Sequence, residues 1–203
     1  MKMNKYIHIV LYIVLLSSCT LKNNKVNTEQ SVGMEIQIQE LIKILIEDSK
    51  LHEKIGPKLT NTEIQKIEND LGLKLPPSYK FFLKEFGNGA YWLYANPIDD
   101  IKQKSFLSTY REGLGEIIEL IGEKELKVNT LLSLMSEDSN GGAWVWLTSE
   151  NSENGEWSLA YYSMDDKKLH YKVKNFAEWL RLLIKNKSEV IRALDIENKL
   201  GLG

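Results

Sequence analysis

Apolar residues recur along the chain in two rhythms, and the helical one comes first. Over residues 34–55, Ile38, Leu41, Ile42, Leu45 and Ile46 fall at helical spacing, with Glu40, Lys43 and Glu47 on the other side. Gly56-Pro57 stops this helix. A second helix starts at Thr60, where Thr60 and Glu63 have the spacing of a capping box: each side chain satisfies the other residue's exposed backbone N–H. Ile64, Ile67 and Leu71 form its apolar stripe, and Gly72 fits a left-handed C-terminal cap. Leu75-Pro76-Pro77 reads as rigid and extended, with the second proline able to open a third helix because its missing N–H would be unpaired there anyway. That helix carries Tyr79, Phe82, Leu83 and Phe86 and ends at Gly87-Asn88-Gly89.

The second half switches towards strands. Residues 91–94 read as a short strand. Residues 105–121 suggest a helix through Phe106, Tyr110, Leu114, Ile117, Ile118 and Ile121, weakened by Gly113 and Gly115. Residues 130–135, 143–148, 157–164 and 168–173 are rich in β-branched and aromatic residues, and Ser, Asn, Gly and Asp clusters separate them, which predicts strands. Asp165-Asp166 forms a short hairpin connection, and Asn140-Gly141-Gly142 a turn. Asn175 with Glu178 opens a further helix lined by Phe176, Trp179, Leu180, Leu183 and Ile184, and Ser188 caps a last one running to Leu200. Helices, then antiparallel strands, then helices predict an α+β fold. The expected centre is an antiparallel sheet of about four to six strands, with C-terminal helices packed on it.

The N-terminus departs from this pattern. Lys2 and Lys5 precede an almost continuous apolar run from Tyr6 to Leu16, and Leu16-Ser17-Ser18-Cys19 follows. A basic start and a short apolar run have the form of a secretory signal peptide. The run is shorter than the roughly 20 residues a membrane-spanning helix needs. Small residues before a cysteine resemble the lipobox of bacterial lipoproteins. That resemblance implies cleavage before Cys19, which carries the lipid and anchors the chain without spanning the membrane. The alternatives are an ordinary signal anchor, or a short buried helix with a bystander cysteine. Residues 1–18 are then the signal, 19–33 a polar flexible tether, and 34–203 a single domain. The expected location is the bacterial cell envelope.

Composition adds exclusions. Cys19 is the single cysteine of 203 residues, so no disulfide framework or thiolate zinc cluster forms within one chain. The formal net charge of −2, with 26 basic and 28 acidic residues, lacks the basic excess of a dedicated nucleic-acid binder. Loss of Lys2 and Lys5 with the signal would make the chain mildly acidic. Three histidines leave little material for a metal site, and no cofactor is expected.

The stretch from Thr62 to Gly89 carries a denser pattern: Ile64, Glu68, Leu71, Gly72, Leu75, Pro76, Tyr79, Phe82, Leu83, Asn88 and Gly89. It resembles the SUKH superfamily, which includes the Smi and Knr regulators of yeast cell-wall assembly and many bacterial immunity proteins. The resemblance extends over residues 60–185. It implies binding rather than catalysis, with a polymorphic toxin neutralised by protein–protein contact. Most members are cytoplasmic; an exported one would meet its toxin in the envelope. The runner-up reading is an envelope module that regulates cell-wall or glycan processing through exposed tryptophans.

No nucleophile constellation stands out. His52 and His170 read as surface or packing residues, and Gly113-Leu114-Gly115 lacks the rest of a phosphate-binding fingerprint. Paired acids at Asp99-Asp100, Glu137-Asp138 and Asp165-Asp166, with Glu150, Glu153 and Glu156 in one loop, read either as solvated turns or as an acidic surface that steers a basic partner. Trp144 and Trp146 share one strand face, Val145 and Leu147 the other. The tryptophan face either packs under a helix or serves as a binding anchor, and Trp92 and Tyr94 pose the same choice.

Overall fold

The computed structural model describes residues 33–48, 54–92, 95–98, 115–134, 142–152, 154–186 and 190–199. The signal, Cys19 and the tether up to residue 32 lie outside them, as do His52, Asp99, Asp100, the predicted helix up to residue 114, Glu137, Asp138, Asn140, Gly141, Glu153 and Ser188.

The fold is α+β. Helix α1 covers residues 33–47 and buries Ile38, Leu41, Ile42 and Leu45. It stops before residue 55: Lys54–Ile55 is strand β1, which corrects the longer helix read from the sequence. α2 (Asn61–Leu71) has the capping box at Thr60, with Glu63 Oε2 2.9 Å from the Thr60 N–H, and a left-handed cap at Gly72. α3 (Pro77–Glu85) follows, and β1 pairs with β2 (Ala90–Trp92), which pairs with β3 (Ala95–Ile98), all antiparallel. Gly56 and Gly87 are required where these chains cross. A Cβ on Gly56 would fall on the Asn88 carbonyl, and one on Gly87 on the Gly56 carbonyl.

The larger sheet has the order β5-β4-β9-β8-β7-β6. Its strands are β4 (Ile117–Leu120), β5 (Lys124–Lys127), β6 (Leu131–Ser133), β7 (Ala143–Asn151), β8 (Trp157–Ser163) and β9 (Lys168–Val173). Two expectations are corrected here. The 117–120 segment is a strand, not a helix: Ile118 and Leu120 are buried while Ile117 and Glu119 are exposed, a period of two. The sheet is also mixed, because β4 runs parallel to β9, with Leu120 opposite Leu169. β5, which the sequence reading passed over, carries only Leu126 inward.

The sheet must curl. Its two edge strands, β5 and β6, are joined by a single turn of 3-10 helix, Val128–Thr130. Across a flat six-stranded sheet they would stand about 24 Å apart, at ~4.8 Å per neighbour. Four extended peptide units reach only about 14 Å. Curling creates two apolar layers. Inside the curl lie Ile118, Leu120, Leu126, Val128, Leu131, Ala143, Val145, Leu147, Ala160, Tyr162 and Leu169. On the outer face Trp144, Trp146, Trp157 and Leu159 meet helices α1 to α3, α4 (Phe176–Lys185) and α5 (Val190–Lys199). Residues 143–147 of β7 alternate between the two layers, so both faces of this part of the strand are core.

A bulge lets β9 serve both layers. Leu159 pairs with Val173 and Tyr161 with His170, so two steps on β8 match three on β9. Tyr171 takes up the extra residue at φ 53°, and its side chain bonds Asp195 of α5. Leu169 therefore points into the curl and Val173 towards the helices, although four residues apart they would share a face on a regular strand.

Candidate binding cleft

In the outer core, Tyr79 and Phe82 of the family-like motif pack against aromatic rings from β7 and α4. Tyr79, Phe82, Phe176, Trp146 and Trp179 are fully buried. Tyr79 lies 5.0 Å from Phe176 and 5.1 Å from Trp146, ring centre to ring centre, and Phe82 lies 5.1 Å from Phe176. Leu75, Pro76 and Leu83 are buried beside them. These contacts fix α3 on the sheet. Tyr79, Phe82 and Leu83 are scaffold, as their helical spacing predicts.

Two acids lock the ends of this scaffold. Glu68, on α2, accepts from the Leu75 N–H at 2.9 Å, from Lys74 Nζ at 2.9 Å and from Lys80 Nζ at 3.2 Å. Its side chain is only 5% exposed. Burial pushes its pKa up, but the two ammonium groups and the backbone N–H outweigh that and hold it below the ordinary 4.5. Glu68 thereby pins the extended α2–α3 connection to both helices.

Glu156 does the same from across the chain. Pro76 offers no side-chain cap to α3. Glu156, at the end of the β7–β8 turn, supplies it: Oε1 accepts from the Ser78 N–H at 2.8 Å and Oε2 from Ser78 Oγ at 2.5 Å. A carboxylate at a helix N-terminus meets both an orphan donor and the positive end of the helix dipole. Glu156 is 3% exposed, so it is neither a solvated turn residue nor part of an exposed acidic surface, the two alternatives read from the sequence. Burial drives its pKa above 4.5 despite the Ser78 bonds and Lys80. The missing cap at Pro76 was the sequence signal that a partner from elsewhere was needed.

Glu150 is also engaged. The pairing of β7 with β8 breaks between Leu147 and Asn151. Glu150 there reaches Lys124 of β5 at 2.5 Å and Lys172 of β9 at 2.8 Å, and Lys172 reaches Glu123 at 2.6 Å. Burial opposes its ionisation, yet the lysines prevail and its pKa lies below 4.5. The four charges tie three strands across one end of the curl. His170 bonds Asp166 of the hairpin at 2.9 Å.

Between the two acid-locked walls lies a cleft of about 390 Å³. One wall is the α2–α3 connection with the start of α3, supplying Leu73, Lys74, Leu75, Pro77 and Lys80; the other is the end of β7 with the β7–β8 turn, supplying Thr148, Asn151, Ser152 and Gly155, and Trp157 also lines the space. The turn is fixed by the Ser152 N–H bonded to the Glu156 carbonyl at 2.9 Å and by Gly155 at φ 79°. The structure thus brings Glu68, Leu75 and Glu156 to one place. It leaves Glu150 at the sheet end. Trp92 lies in β2, with no side-chain placement described.

The tryptophan reading is also resolved for the described side chains. Trp144, Trp146, Trp157 and Trp179 are all core. The choice between packing under a helix and serving as an anchor falls to packing for Trp144 and Trp146.

No curated protein matches the chain. A family model described as SMI1-KNR4 cell-wall matches residues 61–180, from the first turn of α2 into α4. That span is more than half of the chain and contains both walls of the cleft, so the chain belongs to the SUKH_6 family of SMI1-KNR4 cell-wall proteins.

Proposed function

We propose that this chain is a non-catalytic binding protein of the immunity type, which neutralises a protein toxin by contact. It does so from a membrane, to which the lipidated Cys19 anchors it. The observation that carries the reading is how the family motif is used. Glu68, Leu75, Tyr79, Phe82 and Leu83 are consumed in building a rigid scaffold. Half of the residues lining the cleft above that scaffold, Leu73, Lys74, Leu75, Ser152 and Gly155, belong to a turn and a connection, the kind of surface on which binding specificity is set.

The test is co-expression with the product of the adjacent gene. Growth should be rescued by the full chain, and a purified complex should form without turnover of the toxin. Persistent killing despite abundant anchored protein would count against the reading. The membrane component is checked separately: labelled palmitate should be incorporated by the native chain and absent from Cys19→Ser.

The family description favours a second reading, a module acting on cell-wall processing. Its sequence basis was exposed tryptophans, and the four described tryptophan side chains are buried. Retention on purified wall polymer, with no effect on the adjacent gene's product, would favour it over the toxin reading.

A further inference from the structure

We propose that the cleft between the α2–α3 connection and the β7–β8 turn takes an acidic segment of the partner protein, with Lys74 and Lys80 as its carboxylate-binding groups. This rests on the binding-protein reading above and gives it a site and a chemistry. It also reverses the charge sense of one of the two sequence readings, in which acids of this loop face a basic partner.

The argument starts from which charges a ligand meets. Glu68 and Glu156 are 5% and 3% exposed; the Glu68 oxygens accept from the Leu75 N–H and from the two lysines, and those of Glu156 from the Ser78 N–H and hydroxyl. Lys74 is 71% exposed and Lys80 about a third. The carboxylates are therefore covered, while the ammonium groups stand at the surface. An ammonium has three N–H donors. Glu68 accepts one bond from each lysine, so donors remain on both for an incoming carboxylate. Asn151 and Ser152 on the opposite wall are exposed and add neutral hydrogen-bonding groups.

The surroundings select a peptide over a charged sugar. Leu73, 36% exposed, sits beside Lys74 and gives an apolar side chain something to cover. A pyranose ring is held by stacking on an open aromatic face. Trp157, the aromatic side chain of the cleft, is 3% exposed and packed edge-on against Trp146 at 6.0 Å, so it offers no such face. The cleft is also pre-formed: Glu156 joins its walls from beneath through Ser78, so a ligand need not order them.

The test uses the full chain in non-ionic detergent and fluorescein-labelled hexaglutamate as the probe, followed by anisotropy. Saturable binding below about 1 mM is expected, weakening with added salt. Two variants should each weaken it about fivefold, the effect of roughly 1 kcal/mol of lost or opposed charge interaction. Lys74→Gln removes an exposed ammonium and leaves Lys80 on Glu68. Asn151→Glu places a negative charge on the other wall and leaves every bond of Glu68 and Glu156 in place. Tetragalacturonate should compete less well than unlabelled hexaglutamate. Absence of saturable binding, binding by both variants as tight as that of the native chain, or displacement by tetragalacturonate at lower concentration than unlabelled hexaglutamate would overturn the proposal. The same two variants separate it from the parent reading in the co-expression assay. Undiminished rescue by both would remove the cleft from the interface and leave the immunity reading standing.

Discussion

Replacing Glu156 probes the join between sheet and helix most directly. In the folded chain its carboxylate is the acceptor for two donors of Ser78, a residue with no solvent exposure. Glu156→Ala removes both acceptors and exposes no replacement. An unsatisfied buried donor costs about 1–3 kcal/mol, and loss of an N-cap typically about 1 kcal/mol. Glu156→Ala should therefore destabilise by about 2–4 kcal/mol. Glu156→Gln keeps an oxygen for the Ser78 N–H and removes the charge. Its effect depends on pH, and the sign follows from the raised pKa. The folded chain binds the Glu156 proton more tightly than the unfolded chain does. Below the unfolded value near 4.5 both states are protonated, and the native residue makes its full contribution. As pH rises through the folded value, that contribution falls, because a buried carboxylate must ionise. Urea unfolding of both proteins from pH 4 to pH 8 should show the advantage of native over Glu156→Gln shrinking as pH rises. A constant difference across that range would refute the linkage. A cost for Glu156→Ala within about 0.5 kcal/mol, the usual scatter for surface positions, would refute the capping role.

Further outcomes follow from the same geometry. Glu68 has the opposite sign: its pKa is lowered, so its contribution is present above 4.5 and lost as pH falls through the folded value. Glu68→Gln should flatten the acid limb of the native stability profile in urea titrations below pH 5. Gly87→Ala should destabilise by more than about 2 kcal/mol in thermal unfolding, because the added Cβ meets the Gly56 carbonyl, backbone that cannot swing aside. Trp146→Ala should cost about 3–5 kcal/mol by the same measurement, as expected for a fully buried ring with Tyr79, Trp157 and Phe176 around it.

What could be read from the sequence was what local spacing determines. Thr60 and Glu63 are three residues apart, and their capping box needs nothing else. Gly72 ends α2 by its own conformational freedom, at φ 67°. Lys168–Val173 was legible as a strand from its β-branched and aromatic residues and its flanking turns. β4 and β5 were not, because each is only four residues long and, in β4, the exposed Ile117 beside the buried Ile118 hides the alternation. Lys124–Lys127 has a single inward residue, and Ile117–Leu120 shows its period only once the sheet places Ile118 and Leu120 inside. The bulge at Tyr171 was invisible for a related reason: nothing in Lys-Leu-His-Tyr-Lys-Val says that the strand must change faces between two cores.

The acids make the same point about function. As letters, Glu150 and Glu156 sit in one loop and carry one sign. In the fold they diverge because their partners come from distant sequence. Glu156 meets a helix N-terminus 78 residues away, while Glu150 meets lysines on two other strands. Each charge is used to join elements, which removes it from the surface a partner would see. Lys74 and Lys80 have the inverse history. The sequence pattern singles out neither: Lys74 follows the end of α2 and Lys80 lies on α3. Because both must converge on Glu68 to hold the α2–α3 connection, their ammonium groups arrive side by side at the cleft. The scaffold's own ion pairing therefore concentrates positive charge there, so the sign of the binding surface follows from which member of each pair the fold buries.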